Sequence, residues 1–381
     1  MLLLCRPRLP STPLWRLARA QCSRYSTVQR EPLSILFAGS DDFSIVSLRA
    51  LREEQERNPD LIKSLSVLCR TPGKVGRKLD IIKDVPIAAV AESLELPIHR
   101  ISGFDSDATT LPDPSTNLLI AVSFGLKIPA GIINALPHGG LNVHPSLLPT
   151  YRGAAPIHRI FLDQARETGV SIQTLHPTRI DHGEILKQTS PPIKVTKSTS
   201  YPALREQLAE EGARLLVETL REGLYASELA QPGRGLKTGY PSCLAKKVTK
   251  DDMRVDWGSW EQWMMKQRAE MFGSLWTTLE DVGKNKPGKR IILDNIECIP
   301  SKHGALTEAQ KLFSDLEPGQ FRFWKRQILG GGQGKPDLWM LVKCKDGFVR
   351  IGGVQLDGKK RVDAGEWAQG LKCRGAGKTL V

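Results

Sequence analysis

The chain has little of what marks a disulfide- or metal-stapled protein: its seven cysteines, at 5, 22, 69, 243, 298, 344 and 373, form no CxxC pair. That argues against a zinc site and a disulfide framework, and it points to inert thiols in a reducing compartment. No apolar run approaches the roughly twenty residues of a membrane-spanning helix, so helical insertion is not expected. Acidic residues are missing altogether from the first thirty positions. Arg6, Arg8, Arg16, Arg19, Arg24 and Arg30 stand there among Ser, Leu and Pro without a lysine. The segment also lacks the compact apolar stretch of a secretory signal and has the composition of an organelle transit peptide. Residues 1–30 are therefore expected to be a mitochondrial leader, cleaved near Tyr25 to Val28 and addressed to the matrix; a disordered arginine-rich tail is the alternative.

Beyond the leader the chain is ordinary in composition and uneven in charge. Hydrophobic residues make up 40% and charged residues 25% of the chain, as in soluble globular proteins. A length of 381 residues exceeds one ordinary core, so two domains are expected. Residues 31–230 carry 21 Lys and Arg against 24 Asp and Glu, a net of −3, whereas residues 231–381 carry 27 against 17, a net of +10. A nearly neutral body is followed by a basic module suited to a polyanion. A solvated basic surface without a partner explains the same charge.

From Leu33, short apolar runs alternate with segments of helical spacing. LSILFAG, SLSVLC, LPIHRI, NLLIAVS, GGLNVH and VSIQTLH suit strands. DDFSIVSLRALREEQER, PIAAVAESL, GAAPIHRIFLDQA and YPALREQLAEEGARLLVETLREG suit helices. Such alternation builds a doubly wound, mainly parallel α/β sheet. The first strand-to-helix turn, AGSDDFS, lacks GxGxxG, and its two aspartates would repel phosphate, which argues against a dinucleotide site. After the Gly- and Pro-rich QPGRGLKTGYPSC the pattern changes. DWGSWEQWMMKQRAEMF has helical spacing, and SLWTTLED, RIILDNIECI, DLWMLVKC and GFVRIGGVQL are strand-like, with ILGGGQGKP as an insertion. The expected organisation is a leader at 1–30, an α/β domain at 31–223, a linker at 224–245 and a small β-barrel domain at 246–381.

The chemistry concentrates in GGLNVHPSLLPTYRGAAPIHR, residues 139–159. On a strand Asn142 and His144 share one face while Leu141 and Val143 point to the other. An amide donor and an imidazole then stand together at a strand's C-terminal end, where open α/β sheets bind ligands. Pro145 and Pro149 stiffen the loop after the strand. In RIDHGEIL, residues 179–186, Asp181 supplies a carboxylate that would orient an imidazole and stabilise its charged form. Together the three suit a tetrahedral acyl-transfer state, with Asn142 donating to the oxyanion and His144 handling the proton. An Asn-x-His pair also occurs in turns, Asp before Gly is an ordinary turn former, and no spacing rule ties residue 144 to residue 181.

GGLNVHPSLLPTYRGAAPIHRIF followed by ETGVSIQTLHPTRIDHGEIL closely resembles the folate-dependent formyltransferases. ILFAGSDDFSIVSLRAL, the basic loop RTPGKVGRKL, RVDW and GGVQLDGKKRVDAGEW are similar to the branch of that family that acts on methionyl-tRNA. The resemblance runs from residue 33 to 377 and implies a Rossmann-like formyltransferase fold followed by an OB-like barrel that holds tRNA. It implies transfer of a formyl group from 10-formyltetrahydrofolate, without a metal, to the α-amino group of initiator methionyl-tRNA, by a monomer that stays off membranes. The family's catalytic Asn, His and Asp fall on Asn142, His144 and Asp181. Its folate contacts fall on Phe124, Gly125, Leu126 and Ile128 and on the loop Ser146, Leu147, Leu148 and Pro149. Its tRNA contacts fall on Lys74, Arg77, Lys78, Arg152, Lys359 and Lys360. The alternatives are a small amine acceptor (a sugar nucleotide or glycinamide ribonucleotide) and an inactive RNA-binding relative. The basic C-terminal half speaks against the first and the intact Asn, His and Asp against the second. The chain departs from the family at His182, where a small residue or Thr is usual, at AEMFGSLW, and in the long basic FRFWKRQILGGGQGKP.

Overall fold

A computed structural model of the chain describes residues 31–75, 81–105, 107–281, 288–299, 313–325, 338–370 and 378–380. The expected leader, Arg77, Lys78 and the insertion ILGGGQGKP lie outside the described residues. The N-terminal unit runs β1 (Leu33–Gly39), α1 (Asp42–Arg57), β2 (Ile62–Arg70), the short pair β3 (Gly73–Val75) and β4 (Ile81–Lys83), α2 (Pro86–Ser93), β5 (Ile98–Ile101) and β6 (Leu118–Val122). It continues through α3 (Ala130–Ala135), β7 (Gly140–His144), β8 (Arg152–Gly153), α4 (Pro156–Leu162), β9 (Glu167–Thr168), β10 (Ser171–Thr174), β11 (Ile185–Gln188), β12 (Ile193–Lys194) and α5 (Tyr201–Arg221).

The main sheet has the order β11-β10-β7-β6-β1-β2-β5. Strands β7 to β5 are mutually parallel, and their connections carry helices to both faces, as the alternation implies. In β1, Leu33, Ile35 and Phe37 enter a core shared with α1 and α5, while Leu36 and Ala38 pack on the opposite face with Leu119, Ala121 and Ile132. Burial on both faces is why this strand is apolar throughout rather than alternating. One edge departs from the parallel scheme: β10 runs antiparallel to β7, pairing Ser171 with His144, and β11 is antiparallel to β10. After the seven residues of α4 the chain re-enters the sheet beside the end where β7 left, with the first residue of β10 opposite the last of β7.

Helix α1 begins where Asp41 accepts a hydrogen bond from the Ser44 amide (3.1 Å), a side-chain N-cap. It packs on α5, where the buried Glu54 takes two hydrogen bonds from Arg221 (2.9 and 2.5 Å).

Beyond β13 (Leu244–Ala245) the second unit contains α6 (Gln262–Phe272), β14 (Ser274–Asp281), β15 (Lys289–Cys298), β16 (Phe321–Lys325), β17 (Leu338–Cys344), β18 (Gly347–Leu356), β19 (Val362–Asp363), α7 (Ala364–Gly370) and β20 (Lys378–Leu380). Its strands form an antiparallel sheet of order β16-β17-β18-β15-β14-β20, with β19 on β18. The two ends of that path meet at Gly319, whose carbonyl accepts a hydrogen bond from the Leu380 amide (3.0 Å). Gly319 has φ +85, and the Leu380 carbonyl occupies the place a side chain would take, so only glycine fits this closure. Helix α6 starts six residues later than its spacing predicts, because Asp256 accepts from the Ser259 amide (3.1 Å) and folds the preceding segment into a turn. FRFWK, which opens the long basic departure from the family, is strand β16.

The units are joined at α6 and at the short turn Asp251–Met253 before it. The Gln267 amide donates to the Thr196, Lys197 and Thr199 carbonyls (3.3, 3.4 and 2.8 Å). Arg159 grips both carboxylate oxygens of Asp252 (2.9 and 3.0 Å), a bidentate pair. Phe272 stacks on His158 with ring centroids 6.0 Å apart and an interplanar angle of 23°.

Candidate active site

A cavity of about 710 Å³ opens at the C-terminal ends of β6 and β7. Period-two alternation places its chemistry. Leu141 and Val143 are buried in the core beneath α5, so Asn142 and His144 face the other way and line the cavity. Gly212 lets α5 approach, since a Cβ there would sit 2.8 Å from Val143.

Asp181 reaches the same cavity from the turn between β10 and β11. Its Oδ1 accepts from Asn142 Nδ2 (3.2 Å) and Gln173 Nε2 (3.1 Å), and its Oδ2 accepts from the Gly153 amide (2.8 Å). Its own carbonyl accepts from Arg152 Nε (2.7 Å). These bonds hold Asp181 at φ 54, a backbone region that is uncommon for residues other than glycine. The turn closes because residue 183 is glycine: a side chain there would collide with the Thr174 carbonyl.

His144 is hydrogen-bonded through one ring nitrogen and faces a carboxylate with the other. Nε2 donates to the Tyr151 carbonyl (2.8 Å), and Nδ1 lies 3.6 Å from Asp181 Oδ1. A carbonyl only accepts, so Nε2 keeps its proton and Nδ1 is the nitrogen free to gain or lose one. The His144 and Asp181 side chains are 6% and 7% exposed, so little water competes for either. His182 is turned away: its Nδ1 donates to the Ile180 carbonyl (2.7 Å).

Phe124, Gly125, Leu126 and Ile128 line the same cavity as Asn142. Ser146 to Leu148 are instead buried behind its wall. The Ser171 hydroxyl accepts from the Leu148 amide (2.9 Å) and donates to the Ser146 carbonyl (2.6 Å), tying that loop to β10. The Ser146 amide also donates to the His144 carbonyl (2.8 Å), which ties the loop to the end of β7. Arg152 lines the cavity too, but its guanidinium is engaged with the Asp181 carbonyl and Ser242 Oγ (3.1 Å). Lys74, Lys359 and Lys360 are exposed on the surface. His158, Tyr201 and Arg205 also line the cavity, with Arg205 on Asp41 at 3.2 Å. Burial, reinforced by the charges of Arg159 and Arg205, holds His158 below the ordinary histidine value, so it is neutral near pH 7.

The family model described as formyl transferase matches residues 33–220, and that of the formyl transferase C-terminal domain matches residues 247–372. The mitochondrial methionyl-tRNA formyltransferase of Saccharomyces cerevisiae is 34% identical over 334 residues, covering 77% of this chain and 80% of the yeast protein. The chain belongs to the formyl transferase family. Among its other relatives are the methionyl-tRNA formyltransferases of a Jannaschia species, 28% identical over 89% of this chain and 97% of that protein, and of Staphylococcus aureus, 27% identical over 91% and 99%.

Two site residues of this formyl transferase escaped the sequence reading. Gln173 stands directly opposite Asn142 in the β10–β7 ladder and is 1% exposed; a polar residue inside the apolar VSIQT strand was the available signal. Gly153 acts only through its backbone amide, which leaves no trace in a side-chain pattern.

Proposed function

We propose that this formyl transferase moves the formyl group of 10-formyltetrahydrofolate to the α-amino group of methionine on initiator tRNA. The observation that carries the proposal is the convergence of Asn142, His144 and Asp181, three residues from two separate stretches, in one half-open cavity. The neutral amine attacks the formyl carbon, and negative charge collects on the formyl oxygen. Asn142 Nδ2 spends one N–H on Asp181 and has the second for that oxygen. His144 Nδ1 takes the proton released by the attacking nitrogen and returns it to the departing N10 of the folate. While the ring is doubly protonated, Nε2–H points at the Tyr151 carbonyl and Nδ1–H at Asp181, so both protons of the imidazolium face acceptors.

In this reading Phe124, Gly125, Leu126 and Ile128 hold the pterin end of the donor. Lys74, Arg77, Lys78, Lys359 and Lys360 meet tRNA phosphates, the last two within residues 231–381, whose net charge is +10. The division into a catalytic domain at 31–223 and a tRNA-binding domain from 246 goes with it. Residues 1–30 direct the chain to the mitochondrial matrix; their composition and the yeast relative's name support a mitochondrial address. The deciding experiment offers the purified chain 10-formyltetrahydrofolate with initiator methionyl-tRNA, elongator methionyl-tRNA, glycinamide ribonucleotide or an amino-sugar nucleotide. Formylation of the initiator species is expected; transfer to a small amine alone would replace this reading with that one. A fusion of residues 1–30 to a fluorescent reporter tests the address, which is lost if the reporter stays in the cytosol.

A further inference from the structure

The segment joining the two units has the composition of a linker, yet its backbone is spent on the walls of the site. Gly233 and Gly235 donate their amides to the two carboxylate oxygens of Glu184 (2.7 and 2.9 Å). The Leu236 amide donates to the Ile185 carbonyl (2.8 Å). A few residues on, the Pro241 carbonyl accepts from Thr150 Oγ1 (2.6 Å), Ser242 Oγ from Arg152, and the Cys243 carbonyl from the Arg152 amide (3.0 Å). Leu244 and Ala245 then pair, as β13, with Arg152 and Gly153 of β8. At Gly153, φ is +122 and a Cβ would lie 2.8 Å from the Ala245 carbonyl, so the two backbones touch.

Both anchored ends of this strap meet at Asp181. Glu184 comes three residues after it, on the same turn. Gly153 and Arg152, at the far end, supply the amide on its Oδ2 and the N–H on its carbonyl. Strap, turn and β8 therefore form a closed loop of contacts, and Asp181 sits where the loop closes. Asp181 needs such support, because its left-handed backbone is held by bonds from outside its own turn.

We propose that Glu184 is a positioning residue: by clamping residues 233–235 it holds the strap, and through it β8, against Asp181 and so sets the direction of that carboxylate. The proposal rests on the assignment of Asp181 to the proton chemistry. A carboxylate accepting two backbone amides is a charge-assisted clamp, and nothing else on the 181–185 turn takes the amides of 233 and 235 among the described residues.

The test combines kinetics with hydrogen exchange, so that the two readings fail separately. Glu184→Ala removes the clamp. Gly235→Ala leaves Glu184 in place but puts a Cβ 2.7 Å from its Oε2 and from the Ile185 amide, pushing the strap off by sterics. Both variants are expected to exchange the amides of residues 150–154 faster than the parent, and to lose about ten- to hundredfold in kcat with the KM for either substrate little changed. Glu184→Gln keeps one acceptor and is expected to lose only about fivefold. Unchanged exchange at 150–154 in both variants overturns the proposal, as does a rise in KM with kcat intact. If Glu184→Ala does not fold, Gly235→Ala and Glu184→Gln decide alone. A parent chain that formylates no methionyl-tRNA sinks the functional reading, while the exchange data still decide whether Glu184 holds β8.

Discussion

His144 Nε2 donates to the Tyr151 carbonyl at 2.8 Å, and that bond decides which ring nitrogen is left for chemistry. It spends Nε2 on the loop behind the site and leaves Nδ1 facing Asp181 and the cavity. Tyr151 is itself at φ 60, so the carbonyl is aimed at the ring by a backbone turn that most side chains disfavour.

Asp181→Asn should be the most damaging near-isosteric change. The carboxylate accepts from Asn142, Gln173 and Gly153 together, and an amide offers one oxygen where two are used while turning an NH₂ toward a donor. The charge that stabilises the doubly protonated ring is lost as well. We expect kcat to fall about a hundredfold to ten-thousandfold, with both KM values close to the parent's. A mutant impaired only in KM would show that Asp181 binds substrate and does not assist proton transfer.

His182 is the competing imidazole, one residue from Asp181. Its Nδ1 is occupied by the Ile180 carbonyl and its ring does not line the cavity. His182→Thr is expected to retain most of its turnover, whereas His144→Ala loses as much as Asp181→Asn. The double variant His144→Ala with Asp181→Asn should be little worse than either alone, because groups that act as one unit are not additive. Comparable losses in His182→Thr and His144→Ala would reverse the assignment.

Glu54 sets a pH limit on the fold that is separate from catalysis. The hydrogen bonds from Arg221 hold its carboxyl below the ordinary value of 4.5 despite its burial. A depressed folded-state pKa contributes stability that is fully present above the unfolded value and disappears as pH falls through the folded one. Glu54→Gln should therefore cost about 1–3 kcal/mol at pH 7. The gap from the parent in urea melts should close as pH is lowered below 4.5. A gap of constant size across that range would mean the loss comes from packing and not from charge.

Lys74, Lys359 and Lys360 are expected to act through phosphate alone. Replacing any one with Ala should weaken tRNA binding at low salt and reduce the slope of log K against log salt by about one. Filter binding across a series of salt concentrations reads this directly; three unchanged slopes would move the tRNA surface elsewhere.

Much of the fold was legible because period-two and helical spacing survive in the sequence. Leu141 and Val143 against Asn142 and His144 give the strand, its two faces and the ligand side without any structure. Asp181 is another matter. Its approach depends on β10 reversing beside β7 and on Gly183 clearing the Thr174 carbonyl, and no periodicity across residues 145–180, which separate it from His144, encodes that approach. Local resemblance, and not spacing, supplied that pairing. The strap misleads for a related reason: glycine and proline announce a turn but not the partner of its amides, so a segment clamped by Glu184 reads the same as a free linker.

The seam at α6 and the turn before it has a consequence for how the molecule comes apart. With Gln267 bonded to three carbonyls, Arg159 locked to Asp252 and Phe272 stacked on a cavity-lining histidine, loosening the antiparallel sheet also strips support from the catalytic cavity. Heating should then yield one calorimetric peak for both units. Lesions confined to the C-terminal unit would also surface as lost turnover, with every residue around the reacting atoms intact.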